Sequence, residues 1–219
     1  MSKENLPDKF VPALGFSWLT RIYDPVVRLT TREQRFKSEL LAQAGLAAPM
    51  EVLDLACGTG TLAIRAKRQH PGCEITGIDA DDRILKIARG KAKKEGQAIH
   101  FQKGFSTKLP FRDQHFDRVL SSLFFHHLLP DAKQLTFLEV YRILKPGGQL
   151  HIADWGKPSS FLMRALFYFI QLLDGFDNTG DNVEGRLPEL MRQAGFRNVT
   201  TGREFSTMFG TMTLYSGQK

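Results

Sequence analysis

The segment MEVLDLACGTG, Met50 to Gly60, decides how the rest of the chain is read. Met50 to Ala56 is an apolar run of strand length, and Gly58 and Gly60, separated by Thr59, stand where a helical pattern from Thr61 to Gln69 begins. Gly58, Gly60 and Ala63 match the strand–G-x-G-x-x-G/A–helix pattern, and Asp79 follows about 20 residues on, at the end of the next apolar run, CEITGID. In parallel sheets such turns lie under a ligand at the carboxyl ends of the strands.

Working outward, strands are expected at Met50–Ala56, Cys73–Asp79, Ala98–Gly104, His115–Phe125 and Gly148–Trp155, with closing strands at Asn198–Phe205 and Thr211–Gly217. Helical spacing fills the gaps. Asp81 reads as the cap of a helix turning Ile84, Ile87 and Ala88 inward. Asp131 with Gln134 reads as a capping box for a helix carrying Phe137, Val140, Tyr141 and Leu144, with KPGG, Lys145 to Gly148, as its stop. Pro188 opens a last helix with Leu190, Met191 and Ala194 inward, ended by Gly195. This alternation predicts a doubly wound, mostly parallel α/β sheet finished by an antiparallel C-terminal hairpin.

Residues 1–49 are expected to form a helical lid, with Thr30 and Glu33 as a capping box and Phe36, Leu40, Leu41 and Ala44 on one face. Residues 50–219 form the ligand-binding domain, with an apolar helical insertion at about 158–182. Within Phe161 to Leu173, Arg164, Tyr168 and Gln171 fall on one stripe and the remaining circumference is apolar. Such a segment calls for burial: on the domain's own core, over an apolar substrate, in a dimer, or as a peripheral contact with a membrane surface.

Composition narrows the class. The chain has 219 residues, 42% of them hydrophobic, enough for one sizeable core. Two cysteines, Cys57 and Cys73, make neither a disulfide framework nor a zinc cluster, and fit a reducing cytoplasm. The N-terminal residues lack the apolar run of a secretory signal, and Phe161–Leu173 is shorter than the roughly 20 residues of a spanning helix. A net charge of +7 permits an anionic partner. Its densest block, Lys86 to Gly96, reads as a solvated helix face, so nucleic acid is disfavoured as a partner and a small molecule preferred. Asp174, Asp177 and Asp181 match no calcium loop, and no metal is expected.

The glycine fingerprint alone would suit NAD. Asp54 argues otherwise, because a carboxylate at the end of that strand would repel a pyrophosphate held at the helix N-terminus. It favours a cationic, phosphate-free nucleoside: S-adenosylmethionine carries an ammonium and a sulfonium. Here the chain resembles the class I S-adenosylmethionine-dependent methyltransferases, most closely the methyltransferase-11 and ubiquinone/menaquinone-biosynthesis-like branch. VLDLACGTG is similar to the family's first motif, GIDAD to its second, LPFRDQHFD to its approach to the fourth strand, and YRILKPGGQL to its post-helix signature.

The resemblance implies a Rossmann-like sheet of seven strands, with the C-terminal hairpin as the family's antiparallel insertion. It also implies that Asp54, Ala56, Cys57, Gly58 and Gly60 surround the methionine part of S-adenosylmethionine. Asp79 would take the ribose and Ala80 the adenine edge, with Ser122 at the end of the fourth strand. Phe105 stands where the family usually has an acid for the adenine amino group; Phe105 stacking and a backbone or hydroxyl contact from Ser106 are expected instead.

For the chemistry, the candidate base lies in SSLFFHHLLP: His126 or His127, with His127 preferred, or else His127 orients its loop by bonding a backbone carbonyl. Asp154 is either a substrate contact or a cap for the segment after Gly156. Tyr23 with Asp24 resembles a pair in the family's lid, or is a turn before Pro25. The expected activity is methyl transfer to a small apolar or amphipathic acceptor: a quinone, phenol or lipid precursor. An NAD(P)-dependent oxidoreductase and a non-catalytic nucleoside-binding module are the alternatives. The chain is expected to act as a monomer or homodimer.

Overall fold

The computed structural model describes residues 33–219. Tyr23, Asp24 and Thr30 lie outside the described residues, as does the first part of the expected lid.

In chain order the elements are α1 (Glu33–Ala44), β1 (Glu51–Leu55), α2 (Thr61–Gln69), β2 (Glu74–Asp79), α3 (Asp82–Lys94), β3 (His100–Lys103) and β4 (Phe116–Ser122). A 3-10 turn at Phe125–His127 leads into α4 (Pro130–Ile143) and β5 (Leu144–Trp155). The chain then forms α5 (Phe161–Asp174), α6 (Phe176–Glu184), α7 (Leu187–Gln193), β6 (Arg197–Ser206) and β7 (Thr211–Gln218). The seven strands order as β3-β2-β1-β4-β5-β7-β6. The first five run parallel, and β7 lies antiparallel between β5 and β6. This is the doubly wound sheet with an antiparallel hairpin that the alternation predicts.

β1 shows how the layers form. Its side chains alternate between faces. Val52 packs with Phe36 and Leu40 of α1, Ala63 of α2 and Ala88 of α3. Leu53 and Leu55 pack on the other face with Phe137 and Val140 of α4 and Met191 of α7. Asp54 therefore points to the side of α1 and α2. The predicted α1 face, Phe36, Leu40, Leu41 and Ala44, is buried in this core, so from Glu33 onward the expected lid is part of the domain.

Several local expectations change. In α3 the buried residues are Leu85, Ala88 and Ala92, which share one face at helical spacing, whereas Ile87 is exposed. Asp81 does cap α3, accepting from Arg83 N. Asp131 and Gln134 make no capping box: α4 starts at Pro130, with Leu129 as N-cap and no side-chain cap. KPGG does not stop α4, which has already ended at Ile143. It forms a bulge early in β5, where the pairing steps from Phe116–Leu144 to Arg118–Gln149 and Lys145 Nζ reaches Asp117 Oδ2 at 2.7 Å.

The apolar insertion forms α5 and α6. Ser160 caps α5 by accepting from Met163 N, and Phe167 is buried edge-on against Trp155, with ring centroids 5.5 Å apart. The polar stripe exists: Arg164 stacks over Tyr168 at 4.1 Å and donates to Gln171 Oε1 at 2.6 Å, and Gln171 donates to Thr179 Oγ1 of α6. Phe161, Leu162 and Leu172 remain exposed. Of the acids grouped there in the sequence, Asp181 accepts from the fully buried Lys133 Nζ at 3.1 Å and fastens α6 to α4. Among the described residues no helix is long and apolar enough to cross a membrane.

Candidate active site

The carboxyl ends of β2, β1, β4 and β5 lie side by side along one edge of the sheet, and the glycine turn follows β1. The turn winds tightly, with Ala56, Gly58 and Gly60 all in the left-handed region, at φ of 55°, 53° and 76°. Ala56 is the strained one of the three, since it has a Cβ. A Cβ on Gly60 would meet Ala88 and Phe101 at 3.0 Å, so this glycine lets α2 close on its neighbours. A Cβ on Gly58 would meet nothing within 4 Å: this glycine borders open space.

Asp54, 1% exposed, accepts from Ala63 N at 3.0 Å. Gly60, the N-cap of α2, has no side chain to offer, and Asp54 takes over one of that helix's free amides from the neighbouring strand. Burial pushes its carboxyl up to about 7, opposed by Lys37 and the Ala63 amide and reinforced by Asp79. The same enclosure, with Asp54 and Asp79 alongside, pushes the Cys57 thiol well above its ordinary value.

Asp79 ends β2 with both oxygens engaged, accepting from Gly58 N at 2.9 Å and Asp81 N at 3.0 Å. Each oxygen keeps a second lone pair for a hydroxyl donor. Burial raises the Asp79 carboxyl, and the amides of Asp81 and Gly58 oppose the rise. Ala80 follows, half-buried, and so is Ser122 at the end of β4. Cys57 N donates to Ile78 O at 2.9 Å, which joins the turn to β2. Phe105 is half-exposed. The Ser106 hydroxyl is paired with Thr136 Oγ1 of α4 at 2.9 Å, so of the two contacts expected from Ser106 the backbone one is the better placed.

At the end of β5, Asp154 is engaged by its own neighbours. It is fully buried, and it accepts from Phe124 N (3.1 Å) and Phe125 N (2.7 Å) at Oδ2 and from Trp155 N (2.7 Å) at Oδ1. His126 Nδ1 lies 2.6 Å from Oδ1. Its oxygens are turned inward to the loop that carries the histidines. Burial alone would raise this carboxyl, but His126 and the Trp155 amide hold it below the usual range.

The 3-10 turn that Asp154 organises presents His127, whose ring centroid lies 3.9 Å from that of His126. Burial, and then the neighbouring His126, push the His127 imidazole down to about 3, with Asp154 acting the other way. Leu123, just before the turn, has φ of 56°, so the chain leaves β4, like β1, through a left-handed non-glycine residue.

The sequence reading named both histidines and preferred His127; that His126 is the one paired with Asp154 needs the fold to show. One participant was not marked as functional. Lys37 had a faint signal: it lies within the apolar stripe of α1 and is buried there, where a lysine is costly unless partnered.

Residues 52–148 match a family model described as a methyltransferase domain. The chain is 32% identical over 196 residues to a demethylmenaquinone methyltransferase of Deinococcus radiodurans, a match covering 81% of this chain and 79% of that one. It is 31% identical over 208 residues to a demethylmenaquinone methyltransferase of Lactiplantibacillus plantarum, covering 85% of each. A crystal structure of an S-adenosylmethionine-dependent methyltransferase from Aquifex aeolicus superposes with a TM-score of 0.68 at 22% identity, covering 96% of this chain and 99% of that one.

Proposed function

The chain belongs to the class I S-adenosylmethionine-dependent methyltransferases, in their ubiquinone/menaquinone-biosynthesis-like branch, and from that membership we propose that its methyl acceptor is a small aromatic hydroxyl compound of the quinol type. The cofactor fits the residues present. A buried carboxyl raised by desolvation, as at Asp54, is stabilised in its charged form by a cation, and Gly58 leaves space beside it. Asp79 has lone pairs for the ribose hydroxyls, with Ala80 after it for the adenine edge. The dinucleotide alternative finds no support among the relatives.

Bound S-adenosylmethionine supplies a methyl group on a sulfonium, an electrophile that requires no protein nucleophile. The protein's task is to orient the acceptor and keep water out. The observation that carries the reading is the Asp154-held turn: a carboxylate with four internal donors fixes His126 in the 3-10 turn that follows β4 and also carries His127. Because His127 stays neutral at ordinary pH, an unprotonated ring nitrogen can accept the acceptor's hydroxyl proton in a hydrogen bond, drawing electron density onto oxygen and the ring. Phe125, stacked on Phe137 at 4.6 Å, and Trp155 back the site with aromatic surface. The names of the relatives support a quinol over a lipid headgroup.

The test is methyl transfer from labelled S-adenosylmethionine to three acceptors: a reduced naphthoquinone, a simple phenol and a phospholipid headgroup analogue. The reduced naphthoquinone should be methylated fastest, and His127→Ala should lower its kcat about 100-fold or more. The histidine contributes no break to the pH profile between pH 6 and 9. Transfer to the headgroup with none to the quinol would overturn the acceptor, and an unchanged kcat in the variant would remove His127 from the chemistry.

A further inference from the structure

The outward face of α5 is apolar, the reverse of what an outer helix of a globular domain needs. Its inner side is fixed. Phe167, 1% exposed, packs on Trp155 and lies against Gly210 of the closing hairpin. Gln171 donates to Thr179 of α6, and Asn182 of α6 donates in turn to Trp155 O at 2.8 Å. These contacts decide which residues turn outward. Among the described side chains of α5, the exposed ones are Phe161, Leu162, Ala165, Tyr168 and Leu172. Phe176 of α6 continues the patch, its ring centroid 6.5 Å from that of Tyr168.

Phe161, Ala165, Tyr168 and Leu172 form a seam. They are spaced by four, three and four residues, the alternation of a coiled-coil stripe, which packs against another helix. The stripe is also symmetric about its midpoint. Laid antiparallel on its own copy, it sets Phe161 of one chain against Leu172 of the other at both ends. In the middle the Tyr168 rings face Ala165, the smallest side chain of the stripe. Charge permits the contact: the chain carries +7, yet no exposed described residue of α5 is charged, and Arg164 is turned to Gln171 and the Tyr168 ring. A helix that lies in a lipid surface carries lysines and arginines on its polar face for the headgroups, and the exposed residues here include none. Area is sufficient as well. Phe161 is 89% exposed, Leu172 72% and Leu162 63%, with Tyr168 and Phe176 near half. At about 150–250 Å² for a whole aromatic side chain, the five expose roughly 500 Å² per copy, or about 1,000 Å² for a pair, the lower bound of a specific interface.

We propose that this face joins two copies of the chain in a symmetric, antiparallel α5–α5 contact. Such a contact uses the same patch on both subunits and closes at two. It covers the apolar face, and it braces from outside an insertion that Lys133 and Asn182 fasten from inside.

The experiment is sedimentation velocity over the micromolar range on the wild type, Phe161→Lys, Leu172→Glu and the variant carrying both, each shown to be folded by its melting transition. The wild type should dimerise. Either single replacement should raise the dissociation constant at least about 100-fold, because the symmetry places an unpaired charge in the seam twice. In the double variant the antiparallel register brings opposite charges together at both ends, and at least about 10-fold of the lost affinity should return. If a charged variant does not fold, Leu172→Gln should still weaken the dimer about 10-fold. A folded wild type that stays monomeric, or a dimer indifferent to these replacements, overturns the proposal. Singles that dissociate with no recovery in the double variant overturn the antiparallel contact. A monomeric wild type that binds phosphatidylglycerol vesicles, and loses that binding in Leu172→Glu, gives the face to lipid and overturns the dimer.

Discussion

Replacing Asp54 with asparagine should remove a specific pH dependence of stability, and its size follows from the structure. The folded carboxyl titrates at about 7 against an ordinary value of 3.8, because burial outweighs Lys37 and the Ala63 amide. Between those two values the folded protein holds a proton that the unfolded chain has released. Stability from this group is therefore fully present below about pH 4 and is lost as pH rises toward 7. At about 1.4 kcal/mol for each pH unit, the part lost between pH 5 and pH 8 is about 3 kcal/mol. The Asp54→Asn side chain keeps an oxygen for Ala63 N and does not titrate, so relative to the variant the wild type should lose about 3 kcal/mol over that interval. For a chain of this size that is a change of roughly 6 to 12 °C in the difference between the two melting temperatures. Asp79 and the histidines also tilt the absolute curves, which is why the comparison is between variant and wild type at each pH. Melting curves at pH 5 and pH 8 provide the assay. A difference in Tm that stays constant across the interval would refute the assignment of the raised carboxyl to Asp54. The same reasoning applies to binding: a cationic ligand draws Asp54 into its charged form, so cofactor binding below pH 7 should release a proton, measurable as a buffer-dependent heat.

The two glycines of the turn should behave differently under the same substitution. Gly60→Ala forces a Cβ against Ala88 and Phe101 at positive φ and should cost about 2 to 4 kcal/mol in urea unfolding, whereas Gly58→Ala meets no neighbour and should cost only about 1 kcal/mol. Gly58→Ala should nevertheless weaken S-adenosylhomocysteine binding at least as much as Gly60→Ala; full affinity in the Gly58 variant would show that the open side of that residue does not face the cofactor. At the insertion, Lys133→Met should destabilise by about 3 to 5 kcal/mol by leaving Asp181 without its buried partner, and adding Asp181→Leu should recover most of that loss. If the double variant is no more stable than the single, Asp181 is not the group that the lysine neutralises.

The strand and helix order was legible because short segments rich in apolar residues alternate with stretches that carry helical periodicity. What escaped the sequence depends on neighbours. Ile87 belongs to the expected apolar face of α3, yet Leu85 with Ala88 and Ala92 fills the space between helix and sheet. KPGG has the composition of a helix stop and serves as a bulge, because α4 passes into β5 without a loop and the extra residues must leave the ladder opposite Asp117. For the site, the glycines, Asp54 and Asp79 were readable from one motif and its spacing. Asp154 stands near the end of β5 as its place in the sequence suggested, but spacing gives only the strand end at which a carboxylate sits and says nothing of the amides of Phe124 and Phe125 that its Oδ2 accepts from.

Asp54 and Asp154 are both buried carboxyls at the carboxyl end of the same sheet, and their opposite titration explains how the cleft divides its work. Asp154 is surrounded by three backbone amides and His126, enough donors to keep the ionised form favourable inside the protein. It needs nothing from outside, and it can serve as the fixed post on which the histidine turn is built. Among the described residues Asp54 accepts from one amide, that of Ala63, and Lys37 opposes its burial without overcoming it. Its ionised form is therefore incompletely compensated by the protein. Compensation by a cation bound next to Gly58 converts that deficit into affinity, and does so selectively for a cationic ligand over an anionic one. On the proposed function, the side of the cleft with its internal charge balanced would orient the acceptor, and the side with its balance unfinished would recognise the sulfonium-bearing cofactor.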